Sequence, residues 1–213
     1  VEIQAVHGNG AGERERDFEL IGGHSALDLV NTLDWRFRDS GAEELLTDYS
    51  DLVRFTRQCG LITAAESRRL LRDVPENRGI KVTTAVRELR EAAAQHLYAA
   101  LKGERVPSAS LKTLKVRFSD AREQQRLVWT ETKLAWEFSL AGSHPELPLW
   151  LLSIETLELM TSDAMLRLRE CGNPECRWLF LDTSKNHTRR WCDMKICGNR
   201  MKARRFKAQH GRP

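Results

Sequence analysis

Four cysteines near the end of the chain, Cys171, Cys176, Cys192 and Cys197, form two C-x4-C pairs separated by 15 residues. A fifth, Cys59, stands alone in a predicted helix. An odd total in a chain with no secretory leader argues against a disulfide framework, and clustered pairs argue for a metal. Zinc takes four thiolates in a tetrahedron at about 2.3 Å. A pair four residues apart reaches one ion if the chain between turns back, and Gly172-Asn173-Pro174 supplies that turn after Cys171. His187 is an alternative donor, but four cysteines already complete the shell. The expected cofactor is therefore one structural Zn²⁺ per chain, with no open position for a catalytic water.

The 15-residue spacer reads as strand (178–181), turn (182–186) and a second strand through Arg189-Arg190-Trp191. From Gly198 onward the sequence reads as a basic helix. Two cysteine pairs around a hairpin, followed by a helix, describe a treble-clef-like four-cysteine zinc module over residues 169–213. So short a segment buries little core, so the metal supplies much of its folding free energy.

Charge is divided unevenly. Residues 171–213 carry 11 Lys and Arg against 3 Asp and Glu, a balance of +8, while the whole chain is only +4. Four thiolates and one Zn²⁺ total −2, which leaves roughly +6, too much for compensation of the metal site alone. Arg200, Arg204 and Lys207 follow at i, i+4 and i+7 on one helix face, with Lys202 and Arg205 beside them. Arg189 and Arg190 precede the third cysteine. Ala203 and Phe206 are expected to pack on the 178–181 hairpin. Such a surface suits phosphates and guanine edges, and neutralising six phosphates would give a salt slope of about −5. The competing reading is a solvated or protein-docking face. One finger offers limited area, so a homodimer or a second contact is expected for DNA.

Residues 1–168 read as a mostly helical domain. At 41% hydrophobic and 30% charged, the chain has the composition of a globular protein. Residues 1–16 read as a mobile arm, Phe18–Ile21 as a short strand, and His24 to about Trp35 as a first helix. Further helices are expected over 48–58, from the Thr63/Glu66 capping box, over 82–101, over 108–124, and from Pro145 to Leu168. Leu127–Phe138 alternates like a β-hairpin. Trp129, Trp136 and Trp150 are expected in the aromatic core, with a ligand pocket as the alternative. The fold class is mainly α with a small β element. His24, Asp28 and Asn31 share one helix face and could bind a small polar effector; capping and interdomain hydrogen bonding is the favoured alternative. Neither a phosphate-cradling glycine loop nor a nucleophile elbow occurs, so no enzyme is expected. With neither a leader nor a ~20-residue apolar span, the expected location is cytoplasmic, away from membranes.

Cys197-Gly198-Asn199-Arg200 matches the signature of the CGNR zinc-finger family. The match runs upstream through Trp178–Asn186 and Arg190-Trp191-Cys192, and downstream through Lys202-Ala203-Arg204. Gly22–Thr32 resembles the opening of the ABATE domain that precedes this finger. The resemblance implies a bacterial, stress-induced transcription regulator with a DNA-binding finger. An adaptor using the finger for RNA or protein, and an enzyme with a small-molecule site in the helical domain, are the alternatives.

Overall fold

The computed structural model describes residues 17–138 and 144–210. Its spine is the long helix α4 (Glu76–Lys102), which buries Val82, Val86, Leu89, Ala93 and Leu97 at three- and four-residue spacing. Pro75 starts it six residues earlier than the apolar stripe alone suggests, and Gly103, at φ 66°, closes it in the left-handed conformation. Around this spine pack α1 (Ser25–Asn31), α2 (Tyr49–Gln58), α5 (Ser108–Glu123) and α6 (Leu147–Thr161). A shorter helix, α3 (Ala64–Asp73), packs on α2. Helix α2 is capped by Asp48, and α3 begins with the full Thr63/Glu66 capping box.

Three two-stranded antiparallel sheets accompany the helices among the described residues. Strands β1 (Leu33–Asp34) and β2 (Glu43–Glu44) form a small ribbon, locked to α4 by buried Arg90. The Arg90 guanidinium grips the Glu44 carboxylate with two bonds of 2.6 and 2.7 Å, a paired geometry that a buried charge requires. Strands β3 (Gln125–Trp129) and β4 (Leu134–Phe138) form the expected hairpin. Its glycine-free turn is closed by Thr130, whose amide and hydroxyl both donate to the Lys133 carbonyl. Strands β5 (Leu168–Glu170) and β6 (Leu179–Leu181) form the third sheet.

The β5–β6 sheet is not peripheral. Leu168, Leu179 and Leu181 belong to the same apolar core as Leu27, Phe55, Val86, Leu97 and Leu152. Each such fully buried side chain contributes about 1.5–3 kcal/mol. The cysteine module is thus built onto the helical core through its own hairpin.

Five expectations are corrected. Helix α1 ends at Asn31, not near Trp35, because Leu33–Asp34 leaves the helix to pair as strand β1. Helix α6 stops at Thr161, not Leu168, because Ser162 leaves helical conformation and its hydroxyl caps a 3-10 turn over Asp163–Arg167. The partner of the 179–181 strand is β5, before the first cysteine, and residues 189–191 form no strand. Phe18–Ile21 forms no strand; Phe18 meets Phe55 edge-on at 5.2 Å. Trp129 and Trp136 are exposed, whereas Trp150 is buried against Phe138. The arm expected over residues 1–16 lies outside the described residues.

Candidate metal centre and nucleic-acid interface

The hairpin β5–β6 has Cys171 and Cys176 at its tip. The Cys171 amide donates to the Trp178 carbonyl at 2.8 Å, and the Cys176 amide donates to the Asn173 carbonyl at 3.0 Å. These bonds fold Gly172-Asn173-Pro174 into the turn its composition predicts. Arg177, next in line, takes φ 53°, a left-handed conformation uncommon for a side chain of its size. Its surroundings hold it there: the guanidinium pairs with Glu170 and lies 3.8 Å over the Phe37 ring, and its carbonyl accepts from the Tyr98 hydroxyl at 2.8 Å. Arg177 therefore ties the cysteine turn to α4. Nothing in the sequence distinguished it from its basic neighbours.

The second pair arrives on a different scaffold. Asp182 is buried and organises the loop after β6, accepting from the Ser184 hydroxyl at 2.6 Å and the Arg189 amide at 2.9 Å. The Ser184 hydroxyl holds its carboxyl below the ordinary carboxylate range. The Gly172 amide then donates to the Arg190 carbonyl at 2.8 Å, docking the chain against the first turn. Cys192 follows. A π-turn over Met194–Gly198, capped by the Asp193 side chain, carries Cys197 into place. Helix α7 (Asn199–His210) leaves directly from that turn.

All four sulfurs converge. Their Sγ atoms lie within 4.8 Å of one another, and the Cys176–Cys192 and Cys192–Cys197 separations are 3.6 Å. A tetrahedron with 2.3 Å metal–sulfur bonds has an edge of about 3.8 Å. A disulfide would need about 2.05 Å. The donor set therefore fits zinc, and every cysteine here is free of disulfides. The Asn173 side-chain amide donates to the Cys197 sulfur at 3.5 Å, a contact that favours thiolate. Hydrogen bonding among the sulfurs, above all with Cys176, lowers the Cys171 thiol, and contact with Cys171 raises those of Cys176 and Cys192. A divalent cation lets all four be thiolates at once. His187 stands apart, its ring Nδ1 3.2 Å from the Asp182 carbonyl oxygen. Burial pushes the Cys59 thiol up to about 12, which leaves it unreactive at neutral pH.

Helix α7 holds no buried residue. Phe206 is exposed and stacks on His210 at 4.2 Å, and Ala203 is exposed too, so neither packs on the hairpin as expected. The basic residues divide by what they touch. Arg189 is half-buried: its guanidinium donates to the Trp191 and Cys192 carbonyls and lies 4.4 Å over the Phe180 ring. It thereby braces the third cysteine. Arg190 lies 5.5 Å over Trp191. Arg200 lies 4.8 Å over the Trp35 ring, and Arg204 pairs with Glu175 while remaining half-exposed. Lys202, Arg205 and Lys207 are exposed.

His24, Asp28 and Asn31 serve the joint between helical core and finger. His24 caps α1 through Nδ1. Asp28 accepts from the Gly22 amide at 2.7 Å, and its burial raises the carboxyl to about 6. A side chain at Gly22 would collide with Leu27 and Asp28, so glycine is required for this approach. The Asn31 amide bonds both backbone groups of Leu179, each at 2.9 Å. None of the three lines the cleft of about 640 Å³ between the finger and the helical core. Asp34, Trp35, Glu43, Cys176, Cys197 and Arg200 line that cleft.

A helical domain closed by four converging cysteines, two on the turn of the β5–β6 hairpin and two leading into a helix, defines a zinc-finger protein with one structural zinc. Residues 167–210 match the CGNR zinc finger. Residues 23–163 match the ABATE domain, described as a putative stress-induced transcription regulator. The chain belongs to the ABATE family, with the CGNR finger at its C-terminal side. No curated protein matches it. No helix among the described residues is long and apolar enough to cross a membrane.

Proposed function

We propose that this chain is a DNA-binding transcription regulator in which the zinc-held finger presents α7 to the phosphate backbone, with Cys171, Cys176, Cys192 and Cys197 as the ligands. One observation carries the reading. Helix α7 buries no side chain, yet it contains Arg200, Lys202, Arg204, Arg205 and Lys207 and no acidic residue. A helix of that kind contributes almost nothing to the core, and its cations repel one another. A polyanion relieves that repulsion by replacing condensed counterions. The contact set is Lys202, Arg205 and Lys207, which are exposed, with Arg190, Arg200 and Arg204 recruited from their aromatic and carboxylate contacts. Arg189 supports the metal turn. The helical domain assembles and orients the fingers, and the reading assigns it no catalytic step.

Fluorescence anisotropy of a labelled random duplex with the full chain, across a range of salt, tests this. With about six phosphates neutralised, log K falls against log salt with a slope of about −5. The triple variant K202A/R205A/K207A should flatten that slope by about 3 while its zinc content is unchanged. An unchanged slope would remove α7 from the interface. Binding to single-stranded RNA or to protein without duplex binding would favour an adaptor role instead.

A further inference from the structure

The β3–β4 hairpin carries an apolar face that no described residue covers. Its register places Leu127 opposite Trp136 and Trp129 opposite Leu134. Residues directly opposite, and residues two apart on one strand, share a face, so these four side chains form one patch. Their exposures are 51% for Leu127, 71% for Trp129, 56% for Leu134 and 57% for Trp136. The base of this face is anchored: Phe138 stacks on Trp150, with centroids 6.0 Å apart. The hairpin's charged cross-strand pair, Arg126 and Glu137, lies on the opposite face. A two-stranded hairpin is marginal without a partner for its apolar side.

We propose that this face is a homodimer interface, covered by the same face of a second copy of the chain. The side chains are self-complementary. The two tryptophans occupy one diagonal of the four-residue patch, and the two leucines occupy the other. A two-fold axis running along or across the strands therefore lays each Trp over a Leu of the partner, large against small. The patch is uncharged, so no charge is stranded in the contact. Area also suffices. At roughly 250 Å² per Trp and 180 Å² per Leu, the exposed fractions sum to about 500 Å² per copy. Two copies bury about 1,000 Å², nearly all apolar, which meets the threshold of about 1,000 Å² for a biological contact and places it among weak, reversible ones. Stacked hairpins cross at a small angle with sheets about 10 Å apart. This inference uses neither the zinc site nor the DNA reading, so it stands or falls separately from them.

Sedimentation velocity of the zinc-loaded full chain, without DNA, over ~1–100 μM tests it, since a contact of this area associates in the micromolar range. The wild type should sediment at about twice the 24.5 kDa chain mass at the upper concentrations. Trp129→Ser with Trp136→Ser should leave a monomer, with circular dichroism and zinc content preserved. If that double variant does not fold, Leu134→Lys places one charge in the patch and should give the same monomer. A wild type that stays monomeric throughout would overturn the inference. So would a dimer that persists in a folded variant.

Discussion

Asn31 acts as a piece of sheet. Its side-chain amide donates to the Leu179 carbonyl and accepts from the Leu179 amide, so it replaces the neighbour that β6 lacks on that edge. Both groups are buried. Asn31→Ala removes a donor and an acceptor together and leaves two backbone groups with no partner. Urea denaturation should show a loss of about 2–4 kcal/mol with an unchanged m-value. A loss below about 0.5 kcal/mol would mean that water enters the joint and satisfies both groups. The helical spacing of His24, Asp28 and Asn31 was legible in the sequence. Their task was legible only as one of two readings, because Leu179 lies 148 residues away and spacing along one helix carries no information about it. The four cysteines are the opposite case. Their type and interval state their chemistry without knowledge of the fold, since few other arrangements satisfy four clustered thiols.

Local rules fix those elements whose ends are set by their own residues. Thr63 and Glu66 start α3, Asp48 starts α2 and Gly103 ends α4, each through a backbone bond or dihedral that the residue type favours. Strand β5 was not legible. It is three residues long, and Leu168 continues the apolar spacing of α6 so closely that only the Ser162 cap and the pairing with β6 separate them. Helix α7 was legible as a helix, but the packing expected for Phe206 was not realised. With 12 residues and no buried side chain, α7 is held by its attachment at Cys197. Isolated helices of about this length are marginal in water. Stripping zinc with a chelator should therefore remove the helical signal of roughly these 12 residues from the far-ultraviolet circular dichroism spectrum. Unchanged ellipticity in verified metal-free protein would mean that α7 forms without the ion.

On the scale of the molecule, the sequence divides into an acidic helical part and a basic finger, and the structure joins them more closely than that division suggests. Leu168, Leu179 and Leu181 complete the helical core, Arg177 reaches α4 through Tyr98, and Arg200 crosses to Trp35. Composition has no access to this joint, because each contact pairs residues from distant parts of the chain. The β3–β4 hairpin presents an apolar face outward, whereas its alternation reads equally well as a strand pair packed inward. Phe138 anchors the β3–β4 hairpin to a separate apolar cluster around Trp150, while the finger joins the main core through Leu168, Leu179 and Leu181 and is shaped around one ion. X-ray absorption at the zinc edge, together with elemental analysis of the purified full chain, probes that ion directly. One zinc per chain with four sulfur neighbours at about 2.3 Å is the predicted result. A first shell containing nitrogen or oxygen, or a folded chain that holds no zinc, would contradict it.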